Sequence, residues 1–237
     1  MKVIMDLHTH TMASGHAYSS LKENIDKAKE AGLEVFGTSD HTMGMEGTPI
    51  RMFFEGYPGI PTEIGGLTIL RGAEANIMDY NGNIDLDEEL LKRMDYVIAS
   101  LHIVCIKPGT VEQNTQAVIK AMDNPYIKII GHPDDDRFPL DLEAVVKAAV
   151  QKKVALEVNN SSLKPTSSRP GGRKNIRKLL ELAKKHQAYI ILGTDSHICY
   201  NVGKFDEAIE VLEEMQFPEE LIINCDRSRL PYILCRE

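Results

Sequence analysis

The feature that most limits what this chain can fold into is a repeated alternation. Apolar runs of four to six residues are each followed by a turn and then by an amphipathic stretch of about a dozen residues. Runs at 3–7, 34–39, 67–70, 96–101, 127–130, 154–158 and 189–192 read as strands. Helical spacing appears at Leu21, Ile25, Ala28 and Ala31 behind a Ser19/Ser20 cap, and again over 111–122, 142–150, 176–185 and 205–215. Seven βα units with no dinucleotide fingerprint predict an α/β fold, either a closed TIM-like barrel or an open doubly wound sheet. No repeat, low-complexity tract or linker interrupts the pattern, so one domain over 1–237 is expected.

Two segments break the rhythm. Asn81-Gly82, between short apolar pieces of 74–87, predicts a hairpin with a type I′ turn. Residues 42–66 are rich in Gly and Pro, carry Phe53, Phe54 and Tyr57, and are long for a βα connection, which suggests a lid or rim.

Composition narrows the function classes. Thirty-five Asp and Glu against 27 Lys and Arg give a formal charge of −8, which disfavours a nucleic-acid surface built on phosphate neutralisation. No apolar run reaches spanning length, and the first ten residues meet charge and histidine too early for a signal peptide. A cytoplasmic chain without membrane partners is expected. Cys105, Cys199, Cys225 and Cys235 stand singly, as packing thiols in a reducing compartment do.

The chemistry lies in the histidines. Of eight, seven fall at or just after the C-terminal end of a predicted strand. His8 and His10 are two apart, so an extended strand turns both to one side. His16 follows in the same loop, and His41, His102, His132 and His197 follow strands two, four, five and seven. Glu74 stands after strand three, Asp195 is two residues before His197, and strand six ends in Glu157-Val158-Asn159-Asn160 without a histidine. One histidine at a strand end is usually a hydrogen-bonded structural residue. Seven on one barrel rim would pack poorly and repel one another if protonated, whereas neutral imidazoles with carboxylates are preferred ligands for zinc and similar ions. His186, at the basic end of a helix, is assigned no chemistry.

Nine candidate ligands exceed one tetrahedral site, so two or three ions are expected. Three divalent ions facing only Glu74 and Asp195 leave an excess of about four positive charges, a setting for hydroxide and phosphate. Lys164, Arg169, Arg173 and Lys174 flank Gly171-Gly172 ahead of a helix, and Arg169 and Arg173 are candidates for a substrate phosphate. Asp6 and Asp40 are candidates for orienting imidazoles and equally for strand-end acceptors.

The ordered motifs His8-Thr9-His10, Asp40-His41, Gly72-Ala73-Glu74, Ser100-Leu101-His102, Gly131-His132-Pro133 and Asp195-Ser196-His197 resemble those of the PHP (polymerase and histidinol phosphatase) domain family over essentially the whole chain. The likeness is greatest to its stand-alone bacterial phosphatases. The resemblance implies a distorted (βα)7 TIM-like barrel with a trinuclear centre, usually zinc, with manganese or iron in relatives. It implies that His8, His10, Glu74 and Asp195 hold one ion, that His16, His41 and His197 hold a second, and that Glu74, His102 and His132 hold a third. The implied reaction is hydrolysis of a small phosphorylated metabolite by metal-activated water, with a homo-oligomer as one possible state. Rival readings are a phosphodiesterase or exonuclease, a non-catalytic metal-binding regulator, and an amidohydrolase sharing the HxH motif.

Overall fold

In the computed structural model, which describes residues 1–235, the alternation becomes a nearly closed barrel. The strands are β1 (Met5–Asp6), β2 (Val35–Thr38), β3 (Glu63–Ile64), β4 (Leu67–Asn76), β5 (Tyr96–Ser100), β6 (Ile127–Ile130), β7 (Ala155–Asn159) and β8 (Ile190–Gly193). All but β3 pair in parallel in the order β1-β2-β4-β5-β6-β7-β8, while β3 adds an antiparallel piece to the edge of β4. The helices are α1 (Leu21–Glu30), α2 (Arg51–Glu55), α3 (Glu88–Leu91), α4 (Val111–Ala121), α5 (Leu142–Lys152), α6 (Asn160–Leu163), α7 (Gly172–His186) and α8 (Asp206–Glu214). α1 and α4 start where Ser20 with Glu23 and Thr110 with Gln113 close reciprocal capping boxes, and the Asp141 side chain caps α5.

Period-two alternation fills the barrel. Leu70, Ile98, Ala155 and Ile191 pack inside with Ile4, Val35 and Ile129. Ile223, Leu230 and Ile233, from the turns after α8, close the N-terminal mouth. Tyr96 also points inward, with its hydroxyl donating to the Leu7 carbonyl at 2.6 Å. A Cβ on Gly72 would lie 2.3 Å from that ring, so this position admits only glycine. Two residues on from Ile98 and Ala155, and four on from Leu70 and Ile191, the same rows turn polar, at Ser100, Glu157, Glu74 and Asp195, and all four are buried.

β1 and β8 share no continuous ladder. The seam between them is joined at the C-terminal end by a parallel bridge from Thr9 to Ser196. Lower down it is joined by Asn224, whose amide donates to the carbonyls of Met5 and Leu192 at 2.9 Å and accepts from Leu192 N at 2.6 Å. One buried side chain here does the work of a missing strand segment.

Three expectations need correction. The third strand is ten residues rather than four, because β4 pairs with β2 along its first half and with β5 along its second, so Glu74 is within the strand and not after it. The hairpin turn is not type I′: only Gly82 has positive φ, and the Asp79 carboxylate holds the turn by accepting from Asn81 N and Asn83 N. Residues 42–66 are rim only at their start, where Met45 and Glu46 line the barrel mouth. Beyond that, Phe54 and Tyr57 are buried, and the Tyr57 hydroxyl donates to the Gly72 carbonyl.

Candidate metal centre

The strand ends deliver the histidines around one carboxylate. Glu74 Oε1 lies 2.8 Å from His132 Nε2 and 3.3 Å from His102 Nε2. Its Oε2 lies 2.9 Å from His41 Nδ1, 3.4 Å from His8 Nε2 and 3.5 Å from His10 Nε2. Asp195 Oδ1 is 3.2 Å from His10 Nε2 and 3.6 Å from His8 Nε2. At the outer side, His16 and His197 bring their Nε2 atoms within 2.9 Å of each other.

Turning these side chains inward strains the backbone. His132 and Asp195 follow β6 and β8 with φ of 27° and 50°, in the left-handed region that side chains other than glycine rarely adopt. Among the described residues, the other non-glycine positions with positive φ, Lys153, Gln187 and Gln216, sit at or just past the ends of helices. Strain of this kind is typical of residues placed for function.

The far nitrogens of the rings are fixed. His8 Nδ1 is 2.6 Å from Glu157 Oε1, His102 Nδ1 is 2.7 Å from Asn76 Oδ1, and His10 Nδ1 is 3.1 Å from Ser14 Oγ. His16 and His197 turn Nδ1 to the carbonyls of Ser14 and Asp195, each at 3.0 Å. With Nδ1 held by an acceptor, each ring in its neutral form leaves Nε2 as a lone pair facing the centre. His8 Nε2, His10 Nε2, His41 Nδ1 and Glu74 Oε2 are buried without a hydrogen-bond partner. Four converging nitrogen and oxygen atoms without partners would each be costly in a closed polar network, but they suit cation ligands. Three triads, His8-His10-Glu74, His10-His41-His197 and His41-Glu74-His102, keep their donor atoms within 4.8 Å of one another.

Electrostatics agree with this donor set. Burial, together with the neighbouring His41 and His197, holds His10 well below the usual imidazole range, and burial pushes His102 down to about 4. His8 is the exception: burial opposes its proton, but Glu157, Glu74 and Asp195 hold it well above 6.5. Burial would raise the Glu74 and Asp195 carboxyls. The imidazoles facing Glu74, and Arg169 with His8 beside Asp195, keep both well below the ordinary range.

The remaining candidates divide. Arg169 donates from Nη2 to Asp195 Oδ2 at 2.8 Å and lines the mouth, a cleft of about 880 Å³ that also includes Ile103, Val104 and Lys164. Arg173 is turned away: it pairs with Glu207 and Glu210 on α8 and is not among the residues lining that cleft. Asp6 does not reach an imidazole. Its carboxylate accepts from Thr194 Oγ1, Gly203 N and the His8 backbone, stitching β1 to the end of β8, and burial raises it to about 6. Asp40 acts at one remove, accepting from Ser14 Oγ at 2.7 Å, the hydroxyl that faces His10. His186 pairs with Glu143 on the outer surface.

Sequence reasoning passed over Glu157 and Asn76 as functional residues. Glu157 also accepts from His132 N at 2.7 Å and so orients two histidine-bearing segments. Its signal was parity: Ala155, Glu157 and Asn159 share the inward row of a strand buried on both faces.

Residues 6–161 match the family model described as the PHP domain. The chain belongs to the PHP domain family. A Clostridium novyi protein named "Probable phosphatase" is 48% identical over 230 residues, covering 97% of this chain and 93% of that protein. One of the same name from Caldanaerobacter subterraneus is 45% identical over 235 residues, covering 99% and 92%. Among solved structures, histidinol phosphate phosphatase from Lactococcus lactis, complexed with zinc, L-histidinol and phosphate, superposes with a TM-score of 0.61 at 18% identity, covering 90% of this chain and 94% of that one. That likeness establishes the fold of this PHP chain as the distorted TIM-like barrel. Among the described residues, no helix is long and apolar enough to cross a membrane.

Proposed function

We propose that this PHP chain is a metal-dependent hydrolase of small phosphomonoesters, with three divalent ions, zinc foremost, held by the histidine–carboxylate cage. The observation that carries the reading is the convergence of buried, unpartnered nitrogen and oxygen atoms on the space around Glu74. His8, His10, Glu74 and Asp195 would hold one ion, His16, His41 and His197 a second, and Glu74, His102 and His132 a third, with Glu74 shared. Divalent ions in such a site bring the pKa of water toward about 7 and supply fixed positive charge to phosphoryl oxygens.

The protein's part is positional. Glu157, Asn76 and Ser14 fix the far ring nitrogens, so the lone pairs need no reorganisation when charge develops. Arg169 holds Asp195 by one amino group while its side chain lines the cleft, and it is the residue proposed to contact the substrate phosphate. With Arg173 engaged by α8, Arg169 carries that role alone. The breadth of the cleft suits a small leaving group larger than phosphate itself. A soluble metabolite in a cytoplasmic setting is the substrate class proposed.

The reading is tested by supplying zinc or manganese to the purified chain and assaying phosphomonoesters beside phosphodiesters and a 3′-ended oligonucleotide. Faster turnover of monoesters is expected. Preferred cleavage of the oligonucleotide would replace the reading with an exonuclease, and full metal with no turnover of any ester would replace it with a metal-binding regulator.

A further inference from the structure

The hairpin that follows β4 has no role in the chemistry described so far, yet its return arm reaches the centre through Asp85. Asp85 Oδ1 accepts from Asn76 N at 2.9 Å and from Thr42 Oγ1 at 2.5 Å, and Oδ2 accepts from Asn76 Nδ2 at 2.8 Å and from Gly44 N at 2.6 Å. Gly44 is part of this fit, since a Cβ there would lie 2.7 Å from Asp85 Oδ2. An ionised carboxylate only accepts, so the Asn76 group facing it must be the NH₂. The longer contact of the same nitrogen to the Thr42 carbonyl, at 3.3 Å, agrees with that orientation. Asn76 Oδ1 is therefore turned to His102 Nδ1 at 2.7 Å, and two bare acceptors cannot approach that closely. A neutral imidazole has one N–H, and here it must be on Nδ1, which leaves Nε2 unprotonated toward Glu74.

We infer that Asp85 is a positioning residue which, through the Asn76 amide, sets the His102 tautomer and so presents Nε2 of His102 as a ligand. The inference rests on His102 being a metal ligand, as proposed above. The alternative tautomer is close at hand, because Glu74 Oε1 lies 3.3 Å from His102 Nε2 and would accept its proton. Without the Asp85–Asn76 link, the proton moves to Nε2 and blocks the ligand atom.

The test is the ¹⁵N spectrum of His102 in the full-length, metal-stripped chain at neutral pH, followed by zinc competition with a chelator. Wild type is expected to show the Nδ1–H tautomer. Asp85→Asn and Asn76→Ala are expected to move the proton to Nε2 and to weaken zinc binding by about 10- to 100-fold, a typical loss for an outer partner of a ligating histidine. Adding Asp85→Asn to Asn76→Ala should cause no further loss. A purely structural Asp85 would instead lower zinc affinity equally in both backgrounds and leave the tautomer unchanged, and that result overturns the relay. Wild-type His102 carrying Nε2–H overturns it too. Should Asp85→Asn fail to fold, Asn76→Ala, which keeps every backbone contact of Asp85, decides. A wild-type chain that binds no zinc would remove the metal reading, and the tautomer comparison would still judge the relay.

Discussion

Glu157 Oε1 sits 2.6 Å from Nδ1 of His8, a residue 149 positions away in sequence, and both side chains are almost wholly buried. This contact fixes the ring that presents Nε2 to Glu74 and Asp195. Glu157→Gln keeps the shape and removes the charge. Metal affinity, measured by chelator competition, is expected to fall by about 10- to 100-fold while the far-UV circular dichroism is unchanged.

Glu74 is shared by more histidines than any other carboxylate in the cage. Glu74→Ala and His10→Ala should each lower metal content and phosphomonoester turnover together. His186→Ala, which removes a pairing with Glu143 on the outer surface, should change neither and should leave the unfolding midpoint almost unmoved. Full metal and full turnover after the Glu74 change would refute its bridging place.

The histidine rim was legible because strand ends can be read from alternating apolar runs, and a barrel gathers strand ends at one mouth. Each of His8, His10, His41, His102, His132 and His197 is at or within two residues of a strand end or isolated bridge. What the sequence could not show was pairing across long separations. Glu157 looked like an ordinary polar strand end until the closing of the seam set β7 one strand away from β1, with β8 between them. Asn76 and Asp85 looked like hairpin residues until the turn brought them together. Arg173 and Arg169, four positions apart, carried equal sequence signals, and only the packing of α8 separates them. The C-terminal closure was hidden for the same reason, since Asn224 meets β1 from 219 residues away.

That seam gives a prediction separate from the chemistry. Asn224→Leu leaves the Leu192 N–H and the Leu192 and Met5 carbonyls buried without their partner. At about 1–3 kcal/mol for an orphaned group, and with partial relaxation, a loss of roughly 2–5 kcal/mol in denaturant unfolding is expected. Protein that does fold should keep its metal content. A neutral effect would mean the Asn224 bridge does not hold the barrel closed.

Metal uptake should release protons. Glu157, Glu74 and Asp195 hold the His8 pKa above 6.5, so the metal-stripped chain carries a proton there at neutral pH that a bound cation must displace. Apparent affinity therefore rises with pH, and one displaced proton makes it fall by about tenfold per unit as pH drops below the His8 pKa. In the metal-stripped chain the same raised pKa contributes stability that is present below about 6.5 and lost as pH rises through the folded-state value. Zinc titration in a weakly buffered indicator solution would show the release as acidification. A pH-independent affinity between 6 and 8 would show that His8 enters binding already neutral.

The most direct measurement is the metal content of the purified chain, taken together with activity before and after chelation. The account predicts more than one divalent ion per chain, loss of phosphomonoester hydrolysis when the ions are stripped, and recovery when zinc or manganese is returned. A stripped chain that still hydrolyses at the original rate, or a folded chain that takes up no ion at millimolar zinc, would contradict it.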